Sequence, residues 1–235
     1  MFDQSAELYD AIYDALGKDY RSEAERVLEC ITGLRGSMPL ELLDVACGTG
    51  RHLEFFCEQV ACTGLDIEPG LLEVAQTRCP NAEFVRADMT AFDLHRGFDA
   101  VTCLFSSIGY VCTVERLNNA ILTMATHLNM GGVLVVEPWF GPEEWLPGVI
   151  QVVAAEVSGG KVVRMMRSDR VANRSILETH YLVGSSDSEI AHFTERHELG
   201  LFDQRQYVAA FEAAGLTPSI DPEGLTGRGL IVAVR

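Results

Sequence analysis

The chain of 235 residues is short of positive charge, of long apolar runs and of paired cysteines. Its 18 lysines and arginines face 34 aspartates and glutamates, a formal charge of −16. A field of that sign repels nucleic acid and anionic membranes, so neither is an expected partner. It does not exclude a small anionic substrate, because a few arginines can make a local positive pocket. No apolar run approaches the roughly 18–20 residues that span a bilayer. The stretch Met1-Phe-Asp-Gln-Ser lacks the basic start and apolar core of a signal peptide, so a cytoplasmic protein is expected. The seven cysteines, all between Cys30 and Cys112, are odd in number and contain no C-x-x-C pair. They read as reduced and structural. The histidines have no zinc spacing and no metal is expected. His127 reads as structural, whereas alternation alone leaves open whether His180, His192 or His197 faces a pocket as a base.

What the chain does have is Glu41-Leu-Leu-Asp-Val-Ala-Cys-Gly-Thr-Gly50. An apolar run ends in small residues and two glycines, the pattern of a buried parallel strand breaking into a tight turn before a helix. Gly48 and Gly50 remove Cβ where the backbone must bend or lie against a ligand. Asp44 stands near the strand's end. A second carboxylate, Asp66, closes the next apolar stretch, near the roughly 20-residue distance at which an acid holds a ribose diol. The dinucleotide fingerprint needs a third glycine, and Leu53 occupies that position. A carboxylate at Asp44 also sits poorly beside phosphate. A ligand with an adenine, a ribose and a positive centre suits these groups better. The segment resembles motif I of class I S-adenosylmethionine-dependent methyltransferases, which makes S-adenosylmethionine the expected cofactor.

Apolar strands recur at 60–65, 83–86, 100–105 and 132–137, separated by helical patterns at 51–59, 69–78 and 114–128. Strand–helix alternation at this interval predicts an α/β, doubly wound, mostly parallel seven-stranded sheet with its ligand at the carboxyl ends of the strands. Residues 4–34 read as two helices broken at Gly17. The turn Asn129-Met-Gly-Gly132 reads as a helix stop. From about 142 to 201 the period changes to two, predicting an inserted antiparallel sheet over 149–157, 161–170, 176–183 and 189–199. A helix from Asp203 to Ala214 and a strand over 229–234 complete what reads as one domain, 1–235.

Asp88 follows the third strand, where it can hold an adenine amino group with Met89 packed on the ring; capping a turn is the alternative. Ser106 and Ser107 follow the fourth strand, placed to meet a substrate or to cap the next helix. Trp139, just past Pro138, can wall a pocket or pack in the core. Arg228, between Gly227 and Gly229, can reach a phosphate or lie exposed on a hairpin.

Glu7-Leu-Tyr-Asp with Tyr13, Gly17-Lys-Asp-Tyr20, Phe98-Asp-Ala-Val-Thr-Cys103, Phe105-Ser-Ser-Ile-Gly109, Val135-Val-Glu-Pro-Trp139 and Gly227-Arg-Gly-Leu230 together resemble the bacterial N,N-dimethyltransferases of dTDP-amino sugars. The resemblance runs from the first helix to the last strand. It implies a dTDP-amino sugar substrate, two successive methylations of a 3- or 4-amino group, and leaves room for a homodimer. It implies that Tyr13 lies near the amine and that Lys18 and Tyr20 belong to a cofactor-side lid within 1–35. Ala46, Ile67 and Leu104 join Asp44, Gly48, Gly50, Asp66, Asp88 and Met89 as cofactor contacts. Ser106, Ser107, Trp139 and Arg228 are expected on the substrate. The chain departs from the family at Trp139-Phe-Gly-Pro, at Glu223-Gly-Leu-Thr-Gly and along the inserted strands. Methylation of another small metabolite, or cofactor binding without turnover, are the alternatives.

Overall fold

A computed structural model describes residues 5–235, and the backbone alone at Glu7; the start of the first helix expected at Gln4 lies outside the described residues. Helices α1 (Ala6–Ala15) and α2 (Tyr20–Arg35) precede β1 (Glu41–Val45), α3 (Arg51–Phe56), β2 (Ala61–Asp66), α4 (Pro69–Arg78) and β3 (Glu83–Arg86). Then follow β4 (Phe98–Cys103), a 3-10 turn over Ser107–Val111, α5 (Val114–Thr126) and β5 (Leu128–Val136). The inserted strands are β6 (Ile150–Val157), β7 (Gly160–Val171), β8 (Arg174–Ser185) and β9 (Ser188–Gly200). Helix α6 (Gln204–Ala213) leads to β10 (Ser219–Asp221) and β11 (Leu230–Val234).

Seven strands form one sheet in the order β10-β11-β5-β4-β1-β2-β3, and β6 to β9 form a separate antiparallel sheet. Strands β1 to β5 run parallel to one another, whereas β11 is antiparallel to both β5 and β10. The chain moves outward from β1 through β2 to β3 and returns on the other side at β4. The carboxyl ends of β1 and β4 therefore flank the switch point, where an open α/β sheet binds its ligand.

Side chains on successive strand positions enter different cores. Leu43, Val45, Val101 and Leu134 pack with α5 and α6 through Leu117, Ile121 and Phe211. Leu42, Ala100, Val133 and Val135 pack with α2 and α3 through Val27, Ile31 and Phe56. Burial on both faces is why these strands read as unbroken apolar runs. A third core joins Ile12 of α1 to Val153, Val162 and Tyr181 of the inserted sheet.

Local chemistry sets the ends. Asp19 accepts from the Ser22 N–H at 3.0 Å to start α2, and Gly36, at φ 76°, stops it. Asp203 and Gln206 form a capping box at α6. The expected helix stop at Asn129–Gly132 is a bulge instead. Helix α5 has already ended at Thr126, and β5 pairs at Leu128 before the register jumps between Phe98 and Ala100. Gly131, at φ 75°, supplies the left-handed residue, and its N–H donates to the Arg235 carbonyl. The seventh strand, β10, is three residues between Pro218 and Pro222, too short to declare itself.

The β1–β2 pair, which carries the glycine turn, leaves no room for a side chain at Gly64. An added Cβ would lie 2.7 Å from Leu53 Cδ1 and 2.8 Å from the Phe84 ring. Gly64→Ala should cost about 1–3 kcal/mol through overpacking, read as a lower urea midpoint at unchanged slope. An unchanged midpoint would show that Phe84 moves aside freely.

Candidate active site

The turn after β1 is held in a conformation that side chains rarely adopt. Ala46 has φ 59°, Gly48 56° and Gly50 75°, and at the tip of β4 Phe105 and Ser106 stand at 52° and 60°. Non-glycine residues there cost about 1–3 kcal/mol each, and such strain concentrates where a loop must present groups to a ligand. Between these two tips lies a cavity of about 290 Å³, bounded by β1, β2, β4, α1 and the inserted sheet.

Asp44 is 2% exposed at its floor. Thr102 donates to its Oδ1 at 2.7 Å, and Asp44 makes no lysine or arginine ion pair among the described residues. Burial pushes its carboxyl up to about 6, against the pull of His52 and the Thr102 hydrogen bond. Asp66 is better supplied, with Gly48 N–H on Oδ2 at 2.8 Å and Glu68 N–H on Oδ1 at 2.9 Å. Its carboxyl is still raised, because burial outweighs those backbone donors.

Ala46, Gly48, Ile67, Met89, Leu104 and Ser107 also line the cavity. Gly50 does not reach it: the space beside its missing Cβ belongs to Ala75 and Cys79 of the α4 end, so its work is in the turn. Asp88 lies on the wall, but its carboxylate caps the following turn. Oδ1 accepts from the Thr90 N–H and hydroxyl at 2.8 Å, and Oδ2 pairs with Arg116 at 2.9 Å. Burial works upward on Asp88, yet these partners hold it below the usual carboxylate range.

Ser106 corrects the expectation of a ligand contact. It is 1% exposed and donates to the Pro138 carbonyl at 2.7 Å, because the left-handed backbone turns its side chain into the protein. Trp139 does face the cavity and donates its indole N–H to Ser175 at 2.8 Å, with Trp145 5.5 Å away.

The N-terminal helices cover the opening. Asp10 accepts from Thr49 at 2.7 Å and pairs with Arg78, and Asp14 pairs with Arg51. Tyr13 packs edge-on to Phe105 at 4.9 Å. Tyr20 lines the cavity, and its buried hydroxyl has no hydrogen-bond partner among the described residues. Lys18 lies outside the cavity, in a second crevice with Tyr13, Phe105, Thr226 and Arg228. Its ammonium binds both oxygens of Glu23 at 2.6 and 2.7 Å and sits 3.9 Å from the Phe105 ring centre.

Arg228 is neither exposed nor unpaired. Its guanidinium donates to Glu137 at 3.1 Å among the rings of Phe105, Trp139 and Phe140, and its Nε is buried without a partner among the described residues. Glu137, wholly buried, also accepts from Thr226 Oγ1 and the Phe105 N–H, each at 2.6 Å.

The inserted sheet supplies a wall that its sequence did not assign. Arg164, Thr179, Tyr181, His197 and Leu199 line the cavity. Of the three histidines on those strands, His197 is the one turned inward, 4% exposed. His180 and His192 stack on each other on the sheet's other side. His127 holds the Leu94 N–H on one ring nitrogen and the Thr123 carbonyl with the other, away from the cavity. Tyr9, Tyr110 and His52 also line the cavity without a sequence signal.

These groups fit S-adenosylmethionine. A buried carboxylate without a cationic partner stands ready for a positive centre, Asp66 holds fixed acceptor oxygens, and the orphaned Tyr20 hydroxyl needs a polar atom. The fold and this cavity define a class I methyltransferase that uses S-adenosylmethionine. Residues 42–132 match the model of a methyltransferase domain. The chain is 40% identical to the dTDP-3-amino-3,6-dideoxy-alpha-D-glucopyranose N,N-dimethyltransferase of Streptomyces fradiae, covering 97% of this chain and 90% of that one. It is likewise 40% identical to the dTDP-3-amino-3,4,6-trideoxy-alpha-D-glucopyranose N,N-dimethyltransferase of Streptomyces venezuelae, over 97% of each. The structure of CalS10 with S-adenosylmethionine bound, an amino pentose methyltransferase from Micromonospora echinaspora, superposes with a TM-score of 0.88 at 39% identity, over 97% and 96% of the chains. The chain belongs to the family of dTDP-amino-sugar N,N-dimethyltransferases.

Asp44 makes cofactor binding depend on pH. Its folded-state pKa is raised from 3.8 to about 6, so the ligand-free protein is favoured with Asp44 protonated. That contribution, up to about 3 kcal/mol, is present below pH 4 and lost as pH rises through 6. A cationic ligand favours the ionised form. Affinity for S-adenosylmethionine should therefore rise from pH 5 to 6.5, by up to about tenfold per pH unit, and then level. Calorimetry on Asp44→Asn should show a flat profile; parallel profiles in both proteins would contradict the assignment.

Proposed function

We propose that this enzyme transfers methyl groups to the amine of a dTDP-linked 3-amino deoxy sugar, twice in succession, in the cytoplasm. The observation that carries the substrate reading is the sharing of Tyr13 and Phe105 between the cavity at the strand ends and the crevice that holds Lys18 and Arg228. A molecule laid across this ring pair puts one end beside the carboxylate floor and the other beside Lys18 and Arg228, each of which is held by a glutamate. An amino sugar joined to a nucleoside diphosphate has that polarity. The two relatives that name 3-amino sugars support the position of the amine. The net charge of −16 supports a small substrate over nucleic acid.

The cofactor supplies a methyl group on a sulfonium, whose departure leaves a neutral thioether. The protein has to hold a neutral amine in line behind that methyl, at about 3–3.5 Å, and such positioning is worth roughly 7–11 kcal/mol. Tyr13 orients the amine by accepting from its N–H. Phe105 packs edge-on to Tyr13 and fixes its ring. Asp66 holds the ribose, Tyr20 the polar end of the cofactor, and Asp88 and Met89 the adenine side. Ser107 and Trp139 border the sugar. Segment 1–35 acts as the lid, latched by the Asp10 and Asp14 contacts, and strands of segment 142–201 close the far wall within a single domain. Water is thereby kept from the sulfonium.

Arg228 binds the diphosphate in this reading while also neutralising Glu137. Removing the charge outright would leave a buried carboxylate unpaired, at about 3–5 kcal/mol, so Arg228→Lys is the informative change. It keeps a positive charge but not the planar fork. KM for the dTDP-amino sugar should rise about tenfold, with little change for the same sugar lacking the nucleotide and none in cofactor affinity. Equal effects on both sugars would make Arg228 a structural residue.

A further inference from the structure

The methylation itself creates a problem that the cavity has to solve. When the amine nitrogen bonds to carbon and the sulfur–carbon bond breaks, the product is an ammonium. One N–H proton must then leave before a second methyl can be accepted. The site lies beneath α1 and against the inserted sheet, so side chains of its wall are the nearest acceptors for that proton. The aspartates lining the cavity have other work: Asp66 accepts from backbone donors, Asp88 from Thr90 and Arg116, and Asp44 faces the cofactor's positive centre in the reading above.

On the opposite wall, Tyr110 and His197 both line the cavity, with Tyr110 Oη 3.3 Å from His197 Nδ1. The other ring nitrogen, Nε2, lies 3.5 Å from Glu195 Oε2, and both of those side chains are under a tenth exposed. Glu195 is itself fixed, accepting at the same oxygen from the Ser5 hydroxyl at 2.7 Å. Ser5 stands at the N-terminus of α1, so the covering helix also orders the carboxylate. A group at the reaction chamber, a base behind it and an acid that orients the base is the arrangement that moves protons in general base catalysis. Glu195 at Nε2 selects the tautomer with its proton there, leaving Nδ1 to accept from the Tyr110 hydroxyl.

We propose that Tyr110, His197 and Glu195 form a relay that removes the amine proton between the two methyl transfers. The amine N–H proton passes to Tyr110 Oη as the Tyr110 proton passes to His197 Nδ1. The resulting imidazolium rests against Glu195 until it is discharged to solvent. Tyr110 acts as a conduit rather than a base, because burial keeps its phenol well above the ordinary range. His197 acts through Tyr110 and positions its hydroxyl. The titratable and charged groups facing the pair are Tyr9 and Tyr13 from α1, Asp66 from β2, Arg164 from β7, Tyr181 from β8 and Glu195 from β9. The inference rests on the N-methylation reading above.

The test compares wild type, His197→Gln, Tyr110→Phe and the double variant in single-turnover reactions with S-adenosylmethionine and a dTDP-3-amino sugar, between pH 5.5 and 9. Each single variant should slow the second methyl transfer about 10²-fold while leaving the first near wild type, and the double variant should slow it no more than either. His197→Gln should drop one ionisation from the rate profile, and the monomethyl product should accumulate. Cofactor affinity and melting temperature should stay near wild type. Should His197→Gln fail to fold, Tyr110→Phe carries the test alone, with the same accumulation of monomethyl product expected. Wild-type rates and profile in the variants, or losses that multiply in the double variant, would overturn the relay. Failure of wild type to methylate nitrogen is a separate result, which removes the reading beneath it.

Discussion

A carboxylate withdrawn from water at the end of β1, which among the described residues has one hydroxyl donating to it and no lysine or arginine paired with it, is the constraint around which the site is arranged. Leaving Asp44 so poorly supplied costs the ligand-free protein stability, and the cost is borne because β1 is central. Its neighbours β2 and β4 hold it in register, and apolar cores press on both faces. A peripheral strand with the same residue would shift or admit water. The strained turn that follows is held in the same way, with Cys47 N–H bonded to the Leu65 carbonyl and Gly48 N–H to Asp66.

Glu137 shows the opposite treatment of a buried acid. It sits just past β5 and gathers the Phe105 N–H, the Thr226 hydroxyl and the Arg228 guanidinium. Charge-assisted bonds of this kind are roughly twice as strong as neutral ones. They tie the tip of β4, the end of β5 and the loop before β11 into one rim, which explains how Phe105 and Ser106 are kept left-handed. One buried acid is satisfied internally and shapes the rim; the other is left for a ligand. That contrast separates scaffold from site more clearly than burial does, since both are almost wholly enclosed.

Much of this was legible in the sequence where a local rule had one outcome. A doubly buried strand reads as an unbroken apolar run, and a turn with φ above zero calls for glycine, so β1, Gly48 and Asp66 stood out. Legibility failed where the outcome depends on which way a side chain turns. Ser106 and Ser107 are adjacent, and only the left-handed backbone at Ser106 decides that Ser107 reaches the cavity. Alternation on β9 divides residues into two faces without saying which is inner, so His197 could not be told from His192. Arg228 was legible as a cation between glycines, but its partner Glu137 comes from another strand. The bulge at Gly131 and the three-residue β10 escaped because each depends on the neighbouring strand rather than on its own residues.

The central claim is that this cavity delivers methyl groups to a sugar nitrogen. The direct measurement is mass spectrometry of a dTDP-3-amino sugar incubated with the enzyme and S-adenosylmethionine labelled in its methyl group. The account predicts stepwise gain of two labelled methyls, both on nitrogen by fragmentation. Label on a hydroxyl oxygen, or cofactor binding without any transfer across a panel of 3- and 4-amino sugars, would contradict it.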